Sequence, residues 1–246
     1  LKDVVTLTID TTGPGLHKRG YREFAGEAPL KETLAASLIL LSRWKPERLL
    51  VDPFCGSGTI LIEAALIGNN IAPGLNRNFV CEEWPSMDKE IFEQVRDSAR
   101  KAIKNNSLRM FGYDIDPQVL RTARQNAEKA GVAKSIEFHQ LDFHKFSSNY
   151  KYAYMITNPP YGERIGEDEV FKLNKKLGMM KRKLSTWDFN ILTSFSKFEK
   201  AFGREADKNR KLYNGRILTR YYQYFDNNLK QKYGVVMAQT ETTTEE

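Results

Sequence analysis

Leu49-Leu50-Val51-Asp52 is a short apolar run ending in an acid, and Pro53-Phe54-Cys55-Gly56-Ser57-Gly58-Thr59 follows it directly. Ile60 to Ile67 then reads as a helix. Strand, glycine-rich turn and helix in that order make the first unit of a doubly wound sheet. The two glycines let a ligand approach the backbone closely. No Gly-Lys-Ser/Thr closes the turn, so it is not a P-loop, and the full dinucleotide-binding glycine pattern is absent as well. Asp52, at the strand tip, stands where a carboxylate can meet a ligand's cationic amino group.

The later strands deliver further polar groups. Leu108 to Asp114 reads as the second strand and ends in Asp114, an acid placed to accept both hydroxyls of a ribose. Its distance from the glycine turn exceeds the usual ~20 residues. An insertion accounts for the excess: irregular Asn69 to Ser86, then a charged helix from Met87 to Asn105. Asp116-Pro117 opens a helix running from Gln118 to Ala130, with Asp116 as its N-cap. Ser135 to Gln140 is a third strand, followed by Leu141-Asp142-Phe143. Asp142 there either accepts from an adenine amino group, with Phe143 near the ring, or caps a turn.

The fourth strand, Tyr152 to Ile156, runs into Thr157-Asn158-Pro159-Pro160-Tyr161-Gly162. Two consecutive prolines stiffen this turn and remove two N–H donors. The Asn158 side chain and nearby carbonyls become fixed acceptors at a strand's carboxyl edge. Such acceptors suit a planar amino group, and Tyr161 can stack on the ring that carries it. This is the chemistry needed to hold the exocyclic amine of an extruded nucleobase. The plain alternative is a strand-ending turn without chemistry.

Beyond the turn, Glu167 to Lys183 reads as a basic helix, Trp187 to Thr193 as a fifth strand and Phe195 to Phe202 as a short helix. Lys208 to Asn214 and Arg216 to Phe225 form a hairpin around Asn214-Gly215. The Thr/Glu-rich tail from Gln239 to Glu246 is expected to be disordered. At the other end, Val4 to Asp10 alternates and reads as a strand. Leu16-His17-Lys18-Arg19-Gly20-Tyr21-Arg22 is a basic loop with one aromatic, suited either to gripping phosphate and stacking a base or to plain solvation. Pro29 stands where a first-turn proline belongs, and Leu34, Leu38 and Leu41 follow at helical spacing.

The net charge of +7 and pI of about 9.2 favour a polyanionic partner. Cys55 and Cys81 form neither a metal-ligand spacing nor a disulfide framework, and no zinc site is indicated. With no signal peptide or long apolar span, a reducing cytoplasm is the expected location. The first residue is Leu1 rather than Met, which suggests a domain of a longer protein.

Taken as a set, Asp52 to Gly58, Asp114, Asp142 and Asn158 to Tyr161 resemble the motifs of S-adenosylmethionine-dependent methyltransferases that act on exocyclic amines. Gly15 to Arg22, Ala28 to Ala35 and Asn158 to Arg164 are more closely similar to the RNA guanine-N2 methyltransferases that carry an N-terminal THUMP domain. Members of that group have often been labelled N6-adenine-specific DNA methylases. The resemblance implies a Rossmann-like α/β fold: a seven-stranded, mostly parallel sheet with the last strand antiparallel and helices on both faces. It also implies a division of the chain. Residues 1–27 would be a linking strand and basic loop after a THUMP domain, 28–236 the methyltransferase domain and 237–246 the tail.

The same resemblance implies catalytic roles for Asn158, Pro159, Pro160 and Tyr161. S-adenosylmethionine would be held by Leu30, Thr33, Asp52, Pro53, Cys55, Gly56, Gly58, Thr59, Asp114, Ile115, Asp142, Phe143 and Asn158. Lys18, Arg19, Tyr21, Arg22 and Arg164 would bind RNA, with ribosomal RNA the expected partner. A transfer RNA guanine-N2 enzyme, a DNA adenine-N6 enzyme and a non-catalytic RNA-binding assembly factor are the competing readings.

Overall fold

The computed structural model describes residues 5–22, 30–160 and 166–226. In chain order the elements are α1 (Glu32–Ser42), β1 (Leu50–Asp52), α2 (Thr59–Gly68), α3 (Lys89–Lys101), β2 (Met110–Asp114), α4 (Pro117–Lys129), β3 (Glu137–Gln140), β4 (Tyr154–Thr157), α5 (Glu167–Lys183), β5 (Asp188–Thr193), α6 (Phe198–Phe202), β6 (Lys208–Asn214) and β7 (Ile217–Tyr224). The strands form one sheet in the order β3-β2-β1-β4-β5-β7-β6. β1 to β5 pair in parallel, and β7 lies antiparallel to both β5 and β6. The strand order reverses between β1 and β4, which is where an open α/β sheet leaves a crevice at its carboxyl edge.

Local chemistry explains where the elements begin and end. Asp116 caps α4 by accepting from the Gln118 N–H at 2.7 Å, and Pro117 fills the first helical position. Asp88 does the same for α3 through the Glu90 N–H at 2.8 Å. Gly203 ends α6 in the left-handed conformation. The apolar core splits into two clusters, one on each face of the sheet. Leu38, Leu50, Leu61, Ile62, Ala123 and Tyr221 belong to the first, with α1, α2 and α4. Met155, Leu177, Trp187, Phe189, Phe198 and Tyr224 belong to the second, with α5 and α6. Burying both faces is what a parallel sheet requires.

Two sequence expectations are corrected here. Residues 5–10 are not a strand: Val5, Leu7 and Ile9 are all strongly exposed, and no described strand pairs with them. Alternation marks a strand only if a neighbour completes its ladder. The hairpin loop is Gly215-Arg216 rather than Asn214-Gly215, because Asn214 pairs with Ile217. Gly215 has φ +62° while Arg216 keeps a negative φ, the pattern of a type II′ turn. The insertion is also more ordered than its composition suggests. Arg96 pairs with Glu82 at 2.6 Å, and Arg77 donates to the Gly15 carbonyl at 3.0 Å and the Thr12 carbonyl at 3.1 Å. These bonds tie the insertion to the 11–20 segment. No described helix is long and apolar enough to cross a membrane.

Candidate active site

The tips of β1, β2 and β4 meet at the point where the strand order reverses. Asp52 ends β1 and is buried. One of its oxygens accepts from the Thr157 hydroxyl at 2.6 Å and from the Phe54 N–H at 3.1 Å. Thr157 is the last residue of β4, so this bond spans the reversal point. Burial raises the Asp52 carboxyl to about 7 against the pull of those two donors, and the nearby Asp114 charge adds to the rise. At neutral pH this carboxyl is therefore poised between its two forms.

The glycine turn is locked to β2. The Gly56 N–H donates to Asp114 Oδ2 at 3.0 Å, and the Cys55 N–H donates to the Tyr113 carbonyl at 2.9 Å. Asp114 Oδ1 accepts from the Asp116 N–H at 3.0 Å. Both oxygens are thus fixed in direction, and each keeps a lone pair for a ligand. Gly56 has φ +52° and a side chain there would project into open space. Gly58 has φ +81°, and a Cβ there would stand 3.1 Å from Phe138 and 3.3 Å from Ala123. The first glycine leaves room beside the turn; the second allows α2 to pack on its neighbours. Asn126 of α4 supports the turn from behind, its amide donating to the Ser57 carbonyl at 3.1 Å.

Asn158 follows Thr157 directly. Its Oδ1 is buried, and among the described residues no donor reaches it. Pro159 is buried next to it, and neither Pro159 nor Pro160 has an N–H to offer. An unpaired buried acceptor costs ~1–3 kcal/mol. This one lies at the carboxyl edge, one residue after the threonine that bonds Asp52. Tyr161 and Arg164 lie outside the described residues.

The other sequence candidates divide. Ile115 is two-thirds exposed at the tip of β2. Leu30 is buried, and its carbonyl accepts from Arg22 at 3.1 Å. Thr33 is half-buried in the first turn of α1. Pro53, Cys55 and Thr59 are buried in the turn, and burial pushes the Cys55 thiol up, well away from a reactive thiolate. Asp142 caps the 143–145 turn through the His144 N–H at 2.8 Å. Phe143 is a core residue, its ring 4.6 Å from that of Phe54, so its side chain is not open to a ligand ring.

The basic loop departs most from expectation. Tyr21 is buried, and its hydroxyl donates to Glu63 Oε1 at 3.1 Å. Arg19 pairs with Glu63 at 3.3 Å, and Arg22 lies 3.5 Å from Glu32 while also donating to the Thr59 hydroxyl. In this conformation Tyr21 cannot stack on a base, and Arg19 and Arg22 are engaged with acids. Only Lys18 of the four stays exposed. The cause is two buried acids: Glu32 at the start of α1 holds Arg22, and Glu63, on the buried face of α2, needs a cation beside it. Burial raises its carboxyl and Arg19 pulls it back down.

Sequence reasoning missed Glu63, Thr157 and Asn126. Glu63 had a signal: it is the one charge in the apolar run Ile60-Leu61-Ile62-Glu63-Ala64-Ala65-Leu66-Ile67.

Comparison with known proteins places the chain in a family. The family model described as "RMKL-like, methyltransferase domain" matches residues 19–223. YpsC of Bacillus subtilis strain 168, named provisionally as an RNA methyltransferase, is 49% identical over 227 residues, which are 92% of this chain and 59% of that protein. Ribosomal RNA large subunit methyltransferase K/L of Shewanella baltica strain OS155 is 42% identical over 222 residues, 87% of this chain and 31% of that one. The solved structure of SMU.472, described as a proposed methyltransferase complexed with SAH, superposes with a TM-score of 0.84 at 45% identity. The match covers 89% of this chain and 58% of that chain. The chain thus spans well under two thirds of the length of each of these three.

Proposed function

Because the chain belongs to the RMKL-like methyltransferase-domain family, we propose that it transfers a methyl group from S-adenosylmethionine to the exocyclic N2 amine of a guanine in RNA, with large-subunit ribosomal RNA as the substrate. One observation carries the amine chemistry: Asn158 Oδ1 is buried and unpartnered at the carboxyl edge, followed by two residues that cannot donate. Such an acceptor waits for a donor from outside the described protein.

The residues fit the cofactor. Gly56 leaves open space beside the turn. Asp114 directs lone pairs from a carboxylate held by two N–H bonds, suited to a ribose diol. Asp52 suits the cationic amino group of the methionine portion, and Asp142 suits the adenine amine. When bound, S-adenosylmethionine supplies an electrophilic methyl group, so the protein's task is alignment.

An aromatic amine is a weak nucleophile because its lone pair is delocalised into the ring. Asn158 Oδ1 and the Pro159 carbonyl accept its two N–H bonds and localise that pair on nitrogen. As the new N–C bond would form at the expense of the sulfonium C–S bond, whose electron pair would stay on the leaving thioether sulfur, the same oxygens stabilise the growing positive charge on nitrogen. The surplus proton leaves afterwards to solvent, so no strong base is needed. The motif gives Tyr161, outside the described residues, the part of stacking on the base. Guanine N2 lies in the minor groove of a paired helix, so the base must be unpaired or extruded first.

Asn158→Ala tests the mechanism. Its bonds to the amine strengthen in the transition state, so turnover should fall far more than cofactor affinity; near-normal turnover on saturating RNA would sink the role. Nucleoside mass spectrometry on cells with and without the gene tests the target. Loss of N2-methylguanosine from large-subunit ribosomal RNA supports the reading. Loss of N6-methyladenine from DNA, with the RNA unchanged, replaces it with the adenine enzyme.

A further inference from the structure

The β6–β7 hairpin projects past the carboxyl edge of the sheet. The last rung between β5 and β7 joins Thr193 to Arg220. At a rise of ~3.3 Å per residue, Arg216 in the hairpin loop stands about 13 Å beyond that rung. The projection has two faces. Lys211, Tyr213, Leu218 and Arg220 share one face by register, all exposed. Asn214 and Ile217 are on the other, towards α1, where the hairpin faces the 15–22 loop across a cleft of about 690 Å³.

Cations dominate this cleft. Lys18, Arg19, Arg22, Lys31 and Arg216 all line it, and among the described residues Glu32 is its only acid. Arg19 and Arg22 are engaged with Glu63 and Glu32. Lys18, Lys31 and Arg216 are exposed, and no described residue pairs with any of them. They come from three separate elements: the loop before α1, the residue capping α1, and the hairpin tip. Their convergence therefore depends on the fold and is not a charge run along one solvated helix face. Arg22, in the wall of the cleft, donates to Thr59, the first residue of α2 after the glycine turn. The cleft therefore adjoins the proposed cofactor site.

We propose that this cleft is a phosphate clamp for single-stranded RNA, in which Lys18, Lys31 and Arg216 grip the backbone next to the nucleotide delivered to Asn158. The assignment rests on the RNA reading above for the nature of the polyanion. Its size argues for a strand and not a duplex: sites of ~300–1,000 Å³ take a ligand of small-molecule dimensions, so one or two nucleotides fit. The hairpin acts as an arm that holds the strand against the body of the domain, and the buried Arg19–Glu63 and Arg22–Glu32 pairs fix the loop that forms the opposite wall.

The test compares two triple variants of the full-length protein. K18A/K31A/R216A empties the clamp. K172A/K175A/K176A removes the same charge from α5. Binding of a short fluorescent single-stranded RNA is followed by anisotropy across a salt series, with cofactor affinity by calorimetry as the check on folding. Each phosphate contact on a single strand contributes ~0.7 to the slope of log K against log salt. Losing three should flatten the slope by about 2 and weaken binding at least tenfold at low salt, with cofactor affinity unchanged. The α5 variant should keep the wild-type slope. The clamp is overturned if the first variant binds as the wild type does, if both variants lose affinity equally, or if single-stranded DNA of the same sequence shows the same loss with greater affinity than RNA. Failure of the RNA methyltransferase reading would show elsewhere, as absence of methyl transfer to any RNA by the unaltered protein.

Discussion

Asp52 should make cofactor binding depend on pH in a way that Asn cannot reproduce. Its carboxyl is buried at the tip of β1 and raised to about 7, with desolvation the main cause. A cationic amino group placed against it selects the ionised form. Below pH 7 that form must be generated before binding, so affinity falls as protons are added, by a factor of ten per unit once well below the pKa. With a carboxyl at about 7, the occupied fraction of the ionised form gives roughly an eightfold loss of affinity from about pH 7.5 to about pH 6. The α-amino group of the ligand itself titrates near ~8, so affinity should peak between the two values and fall on either side. Calorimetry in buffers of different ionisation enthalpy reads the proton directly: binding at pH 7 should release about half a proton from the protein. Asp52→Asn should bind more weakly at the optimum and lose only the acid limb of the profile. A wild-type affinity that stays level from pH 7.5 to pH 6, with no proton released, would refute the argument that Asp52 meets a cation.

Asp114→Ala should weaken cofactor binding by about 1.5–3 kcal/mol, the worth of hydrogen bonds to a charged acceptor; calorimetry with an unchanged circular dichroism spectrum checks it, and full affinity would reject the ribose assignment. Gly178→Ala should destabilise the domain without touching the site, because a Cβ there would stand 1.9 Å from the Phe202 carbonyl oxygen. That oxygen belongs to the backbone of α6 and cannot rotate away, so the loss should reach or exceed the ~1–3 kcal/mol typical of overpacking. A urea midpoint equal to that of the wild type would show that α5 and α6 separate without cost.

Much of the sheet could be read from periodicity because both faces of a parallel sheet are buried. Leu50-Val51-Asp52 and Met155-Ile156-Thr157 are continuous apolar runs ending in a polar tip at the carboxyl edge of the sheet. Asp116 could be separated from Asp114 for a similar reason: a following proline marks a helix start, and the cap accepts from Gln118 as a cap should. The same kind of local evidence failed where a distant partner decided the outcome. The alternation in Val5, Leu7 and Ile9 carries no record of whether a neighbouring strand exists. The Lys18 to Arg22 loop displayed its cations but not the acids that Arg19 and Arg22 answer, Glu63 and Glu32, the first of them 44 positions after Arg19. The lone acid in α2 and the cations before α1 become one statement only when the two segments are packed together. The hairpin loop slipped by one residue for a subtler reason. Asn-Gly favours a type I′ turn, but pairing of Asn214 with Ile217 buries Asn214 and gives the positive φ to Gly215 alone.

The bond between Thr157 and Asp52 links the two halves of the proposed chemistry. β1 and β4 are adjacent, and their pairing ends at Val51 with Met155. Beyond that rung the two strands diverge to form the crevice, and the 2.6 Å bond from Thr157 to Asp52 spans the gap. One residue after β4 stands the Asn158 acceptor; directly after Asp52 begins the turn whose Gly56 N–H is held by Asp114. A group that holds an amine must keep its place relative to the methyl donor to within about 0.5 Å. A loop resting on prolines alone fixes its own shape but not its position relative to a neighbouring strand. The side-chain bond supplies that second constraint, and it does so from the carboxyl proposed to meet the ligand's amino group. Occupation of the Asp52 side of the crevice and the placement of Asn158 are therefore joined through a single buried contact, made by two residues that the sheet brings together from 105 positions apart.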